Sequence, residues 1–265
     1  MPQPRQATGI MAMITGTGTI MATITGMGMG TTMNTGITIM LTDPGLHRLL
    51  AWTSPSYPVG SFTYSHGLET AVDDGRVRTA RDLADYVDAV LSRGGGWVDA
   101  VLFCHAWRAA GDDAAFDEVA ELAAAFRGSS ETALESRQQG ASFLSVTRKA
   151  WPDPALEAFA GRNADRPMAH CTVMALACAA QGIALEPALH FWLHSTAANL
   201  VSAGVRLVPL GQTDGQHALA ELARRIGTIA DRALATPLDD LGTASPALEL
   251  ASLRHETLYT RLFRS

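Results

Sequence analysis

Beyond residue 45 the apolar positions of this chain recur every three or four residues, the spacing of helices that bury one face. The densest stretch is 187–212, PALHFWLHSTAANLVSAGVRLVPLGQ. Leu189, Trp192, Leu193, Thr196, Ala197, Leu200 and Gly204 fall at helical spacing, with Pro187 suited to a first turn and Pro209 to a stop. Ala197, Ala198, Ser202, Ala203 and Gly204 make this helix thin, so neighbouring backbones can come close. Apolar almost all round, it is predicted to lie at the centre of the domain.

Other segments read as helices packed about it. LHRLLAW (46–52) is a short apolar helix that runs into TSPSYPVGSFTYSHGLET, a loop shaped by Pro55, Pro58 and Gly60, with Ser65 placed to cap a helix entering at Gly67. Thr79 and Asp82 form a capping box ahead of Leu83, Tyr86, Val87, Val90 and Leu91. Gly94, Gly95 and Gly96 break that helix before Trp97, Val101 and Cys104. Further helices are predicted to open at Asp113 and at Ser129 or Ser130, the latter stopping near Pro152. Pro167 is placed at the first position of the next helix, with Gly182 beyond its end. Thr213 or Asp214 then caps a helix through Leu222 and Ile229, and Ser245-Pro246 begins a last one to about Arg254. About nine or ten helices at ordinary lengths predict a single all-α domain over 41–265.

The first forty residues differ in kind, being built almost wholly from Met, Thr, Ile, Gly and Ala. Glycine and threonine at this density disfavour helix, and disorder is the expectation. His, Asp and Gly codons read one base late yield Met, Ile, Thr, Ala and Gly codons. The segment therefore reads as a His-rich frame translated out of phase, with the true start near Met40; the nucleotide sequence tests this. A formal charge of −6 argues against nucleic acid as a partner. No apolar run reaches the ~20 residues of a membrane span, and no compact signal core is seen, so the cytoplasm is expected. The cysteines Cys104, Cys171 and Cys178 show no CxxC spacing and read as buried thiols.

Candidate chemistry is sparse. His190 and His194 share a helix face but lack the glutamate of HExxH. Cys104-His105 is a second conceivable soft-metal pair. His66 and Glu69 could form an acid–base pair, although a carboxylate in the first turn of a helix needs no catalytic role. No catalytic residue, cofactor site or metal site is assigned. The last stretch, RHETLYTRLFRS (254–265), alternates arginine with Leu258, Tyr259, Leu262 and Phe263, and is expected to order against another protein.

Three stretches, WTSPSYPVGSFTYSHGLE (52–69), VRLVPLGQTDGQ (205–216) and RHETLYTRLFRS, together resemble the UreF family of urease accessory proteins. The resemblance covers about residues 46–265 and leaves the first forty without a counterpart. It implies a non-enzymatic all-α protein that dimerises and binds UreD (also called UreH) and the GTPase UreG. That assembly would act on apo-urease, coupling GTP hydrolysis to nickel delivery. The implied partner interface comprises Arg254, His255, Glu256, Tyr259, Arg261, Leu262, Phe263 and Arg264, with Arg261 toward UreG and Arg206 near a dimer contact. Two rivals remain open: a metallochaperone carrying nickel on its own histidines or cysteines, and a GTPase regulator inserting an arginine.

Overall fold

The computed structural model describes residues 12–14, 20–22 and 44–265. Two three-residue strands, β1 (Ala12–Ile14) and β2 (Ile20–Ala22), pair antiparallel with Met13 opposite Met21. Strand pairing was not expected in this stretch. The rest of the first forty residues, with the disorder expected there, lies outside the described residues.

From residue 44 onward the described chain is helical. The helices are α1 (Pro44–Trp52), α2 (Leu68–Asp73), α3 (Ala80–Arg93), α4 (Gly95–Ala109), α5 (Asp113–Ala125) and α6 (Ser130–Ala150). They continue as α7 (Pro154–Arg162), α8 (His170–Ala180), α9 (Leu185–Leu207), α10 (Gln212–Ala235) and α11 (Pro246–His255). Local chemistry explains most boundaries. Thr79 and Asp82 make the reciprocal capping box, and Ser129 does the same with Thr132. Asp112 Oδ1 accepts from the amides of Ala114 and Ala115. Gly182, at φ +68°, closes α8: its N–H reaches Ala179 O and that of Ile183 reaches Cys178 O, a complete Schellman pair.

Several expected boundaries move. Gly67 (φ +74°), not Ser65, occupies the N-cap of α2, because a methyl there would come within 2.8 Å of the Ser252 amide nitrogen. Helix α8 begins at His170 with Ala169 as its cap, so Pro167 belongs to the connection ahead of it. Gly211 caps α10, its N–H reaching Asp214 Oδ2 at 2.9 Å. Helix α7 was not foreseen, although Asp153 accepting from Ala155 N and Pro154 at the first position are ordinary start signals.

Helix α9 packs against α10, α4, α3, α8 and α2. It shares the centre with α4, which also meets α3, α5, α8 and α10 and buries residues on every side, from Trp97 and Val98 through Phe103, Cys104 and Ala106. Small residues permit these contacts. At Gly204 of α9 an added methyl would fall on the Leu83 side chain of α3; at Gly140 of α6 it would fall on the backbone carbonyl oxygen of Met168. Among the described residues, no helix is long and apolar enough to cross a membrane.

These contacts predict different outcomes for one substitution. Gly140→Ala meets a backbone oxygen that cannot rotate away and should destabilise by about 1–3 kcal/mol in urea melts. Gly204→Ala meets the tip of a leucine, and its helix-propensity gain of up to about 1 kcal/mol offsets part of the loss.

Candidate functional site: the seated tail

The largest construction of polar groups in the described chain holds residues 254–265 against the body. Its centre is Glu69 in the first turn of α2. One carboxylate oxygen accepts from Leu262 N at 2.6 Å, the other from Phe263 N at 2.9 Å, so two successive backbone N–H groups converge on one anion. His255, fully buried at the end of α11, meets Glu69 Oε2 through Nε2 at 3.1 Å and Glu131 Oε2 through Nδ1 at 2.7 Å. The ring thus bridges the two carboxylates. Arg261 closes the group on Glu131 Oε1 at 2.6 Å.

The last residues are fixed as firmly. Ser65 donates to the Ser265 carbonyl through its amide at 2.8 Å and also through its hydroxyl. Arg264 N donates to Thr63 O at 2.8 Å, and Ser265 Oγ to Glu135 Oε2 at 2.9 Å. Phe263 is buried, and the Arg206 guanidinium lies 4.5 Å from its ring centroid while donating to Phe62 O at 2.8 Å. Burial lowers the Arg206 pKa from its ordinary value. Burying Phe263 contributes about 2 kcal/mol. That does not offset fixing even three residues of backbone at about 1–2 kcal/mol each, so the polar contacts are required.

The sequence suggests that this stretch orders against another protein; here it orders against its own body, with carboxylates of α2 and α6 supplying the countercharge. Of the interface residues expected from sequence, His255 and Phe263 face inward. Arg254 pairs with both oxygens of Asp74, at 2.7 and 2.9 Å, and Glu256 accepts from Ser130 N at 3.0 Å. Tyr259 and Leu262 are exposed, as is Phe62 in the 3-10 turn Ser61–Thr63, whose Thr63 carbonyl accepts from Arg264 N. Arg206 joins this face through Phe62 and Phe263. Sequence reasoning missed Glu131 and Glu135 altogether, and gave Ser65 and Glu69 only local roles. Glu69 was weighed as a first-turn carboxylate, which it is, but the local sequence has no sign of its distant partners.

His190 and His194 stay one turn apart on α9, while the other two conceivable chemical pairs come apart. His66 turns away from Glu69, at φ +53°, and meets Glu135 Oε1 at 2.9 Å. Burial opposes its protonation, but the charge and hydrogen bond of Glu135 outweigh that and raise its pKa. His105 Nε2 is 3.0 Å from Thr236 O, while Cys104 is buried and its thiol is pushed up to about 12. Burial likewise raises Cys171 and Cys178, leaving inert thiols. Among the described residues, no group of three or more His, Cys, Asp or Glu side chains could hold a metal ion.

An open cavity of about 690 Å³ lies between the 53–62 segment, one face of α9, α6 and the α3–α4 junction. Its polar lining includes His66, Asp99, Arg127, Glu135, Gln139 and His170. Arg127 Nη1 pairs with Asp99 Oδ1 at 2.8 Å. Burial holds His170 neutral, with its pKa down at about 4.

This geometry defines an all-α protein whose most elaborate polar network positions its own tail rather than a reacting atom. The model of the UreF family matches residues 77–223. A urease accessory protein UreF from Granulibacter bethesdensis is 53% identical over 225 residues, covering 84% of this chain and 95% of that protein. UreF proteins of Rhodopseudomonas palustris strain TIE-1 (48% over 222 residues, 83% of this chain and 92% of the relative) and Bradyrhizobium diazoefficiens (44% over 222 residues, 83% and 91%) are similar. The chain belongs to the UreF family of urease accessory proteins, which are helpers of an enzyme and not themselves enzymes.

Two outcomes follow from the site. Glu69→Gln should cost about 3 kcal/mol in chemical melts and speed trypsin cleavage after Arg254 and Arg261 roughly tenfold or more. The histidines give opposite pH slopes. His170 is neutral in the fold, so its contribution is full above about 6.5 and falls by up to about 3 kcal/mol as pH drops toward 4. His66, with its raised pKa, contributes fully below the ordinary histidine value and loses that as pH climbs through the raised one. Melting temperatures from pH 4 to 8 should flatten on the acid side in His170→Asn and on the alkaline side in His66→Gln.

Proposed function

We propose that this protein is a scaffold in urease maturation that binds UreD/UreH and the GTPase UreG. In this reading the assembly acts on apo-urease in the cytoplasm, and GTP hydrolysis drives nickel, as cargo, into the enzyme. Family membership and the tail face support it: Tyr259, Leu262 and Phe62 project from a rigid mount, with Arg261, Arg264 and Arg206 among them. Aromatic and arginine side chains on a pre-ordered surface suit protein recognition, because little entropy is left to lose on docking.

The tail, residues 254–265, is the docking element for UreD/UreH, and Arg261 faces UreG. Its exposed guanidinium keeps donors beyond the single contact its Nη1 makes with Glu131. A homodimer with Arg206 near its contact presents each face twice, matching two copies of the GTPase.

Co-purification with UreD/UreH and UreG, followed by urease activation in a strain lacking this protein, tests the reading. Arg261→Ala should weaken UreG capture by about 2 kcal/mol while leaving the melting curve nearly unchanged. An unaltered pull-down would refute the assignment. Removal of residues 254–265 should abolish UreD/UreH binding; retention at full affinity would count against tail docking.

A further inference from the structure

Glu135 joins the seated tail to the cavity, whose wall it forms in part. Ser265 Oγ donates to one oxygen of Glu135 at 2.9 Å. The other oxygen meets His66 Nε2 and Gln139 Nε2, each at 2.9 Å, and Gln139 Oε1 lies 3.1 Å from His170 Nδ1. His66, Glu135, Gln139 and His170 all line the cavity. An ionised carboxylate only accepts, so Glu135 turns the Gln139 amide nitrogen toward itself and the amide oxygen toward His170. The proton of the neutral His170 ring is thereby placed on Nδ1.

A second observation joins the same two regions through the backbone. His66, a non-glycine residue in the left-handed region at φ +53°, carries local strain. It is held on one side by Ser65, which binds the Ser265 carbonyl, and three residues on by Glu69, which binds Leu262 and Phe263. Tyr86 clamps its carbonyl at 2.8 Å. Unseating the tail frees both flanks of a strained residue and takes a donor from the carboxylate that orders the cavity wall.

We propose that the seating of the tail and the polar wall of the cavity are one coupled unit, with Glu135 as the joint. The inference deepens the scaffold reading, and rests on it only for what would unseat the tail: a partner docking there would alter the cavity wall. Coupling of this kind needs two arrangements biased from both ends, and the chain from Ser265 through Glu135 and Gln139 to His170 is the physical path.

Histidine-labelled full-length protein, followed by the ring ¹⁵N resonances, tests this without any partner. In Ser265→Ala and in Phe263→Ala the rings of His66 and His170 should both shift, while His105, held by Thr236 O on another face, stays in place. In Glu135→Gln the Gln139 amide can reverse, and His170 should gain the Nε2–H tautomer. Unchanged His170 resonances in both tail variants, with melting showing each folded, would overturn the coupling. So would equal movement of all eight histidines, which signals general loosening. Adding purified UreD/UreH to the wild type should move the same two rings. Absence of binding in that arm would sink the docking reading alone, since the variants decide the coupling.

Discussion

The tail face depends on a single buried carboxylate. Glu69 gathers two backbone amides and an imidazole from a segment nearly two hundred residues away. A carboxylate so placed would be costly without its partners, and those partners would be unpaired donors without it. The two halves of the arrangement therefore stand or fall together. Arg261 and Arg206 inherit their positions from it, one through Glu131 and the other through the ring of Phe263. What the protein displays to others is set by what it has already bound from itself.

The helices were largely legible in the sequence because their determinants are local. The period of Leu83, Val87, Val90 and Leu91, the caps at Thr79 and Ser129, and the stop at Gly182 each act within a turn or two. Helix α7 had the same kind of signal in Asp153-Pro154 and was hidden by its shortness and by Pro152 just before it. The shift at Pro167 has a similar root, since proline serves an extended connection as readily as a helix start. The seat of the tail was not legible for a different reason. The tail's net positive charge looks unburiable until Glu69, Glu131 and Glu135 are brought beside it, and only the tertiary fold does so.

The interior divides into two environments. Around Cys104 and Cys178 in α4 and α8 the packing is apolar, with thiols serving as small hydrophobic groups. Toward α6 the core turns polar: Asp99 and Arg127, His66 and Glu135, Gln139 and His170 face a common space. A helical bundle of this size has enough apolar side chains to seal that region. Buried ion pairs add little to stability compared with well-packed hydrophobic residues, so their presence marks this side as the one shaped for something other than holding together.

The wide sequence separation of these contacts also orders events during synthesis. Glu69 leaves the ribosome 193 residues before Leu262, and at roughly 5–20 residues per second that gap lasts on the order of ten to forty seconds. Throughout it the seat has no tail to hold. The seat is thus filled only when translation has reached the tail, which makes a docked tail a report that the helical body was made in full.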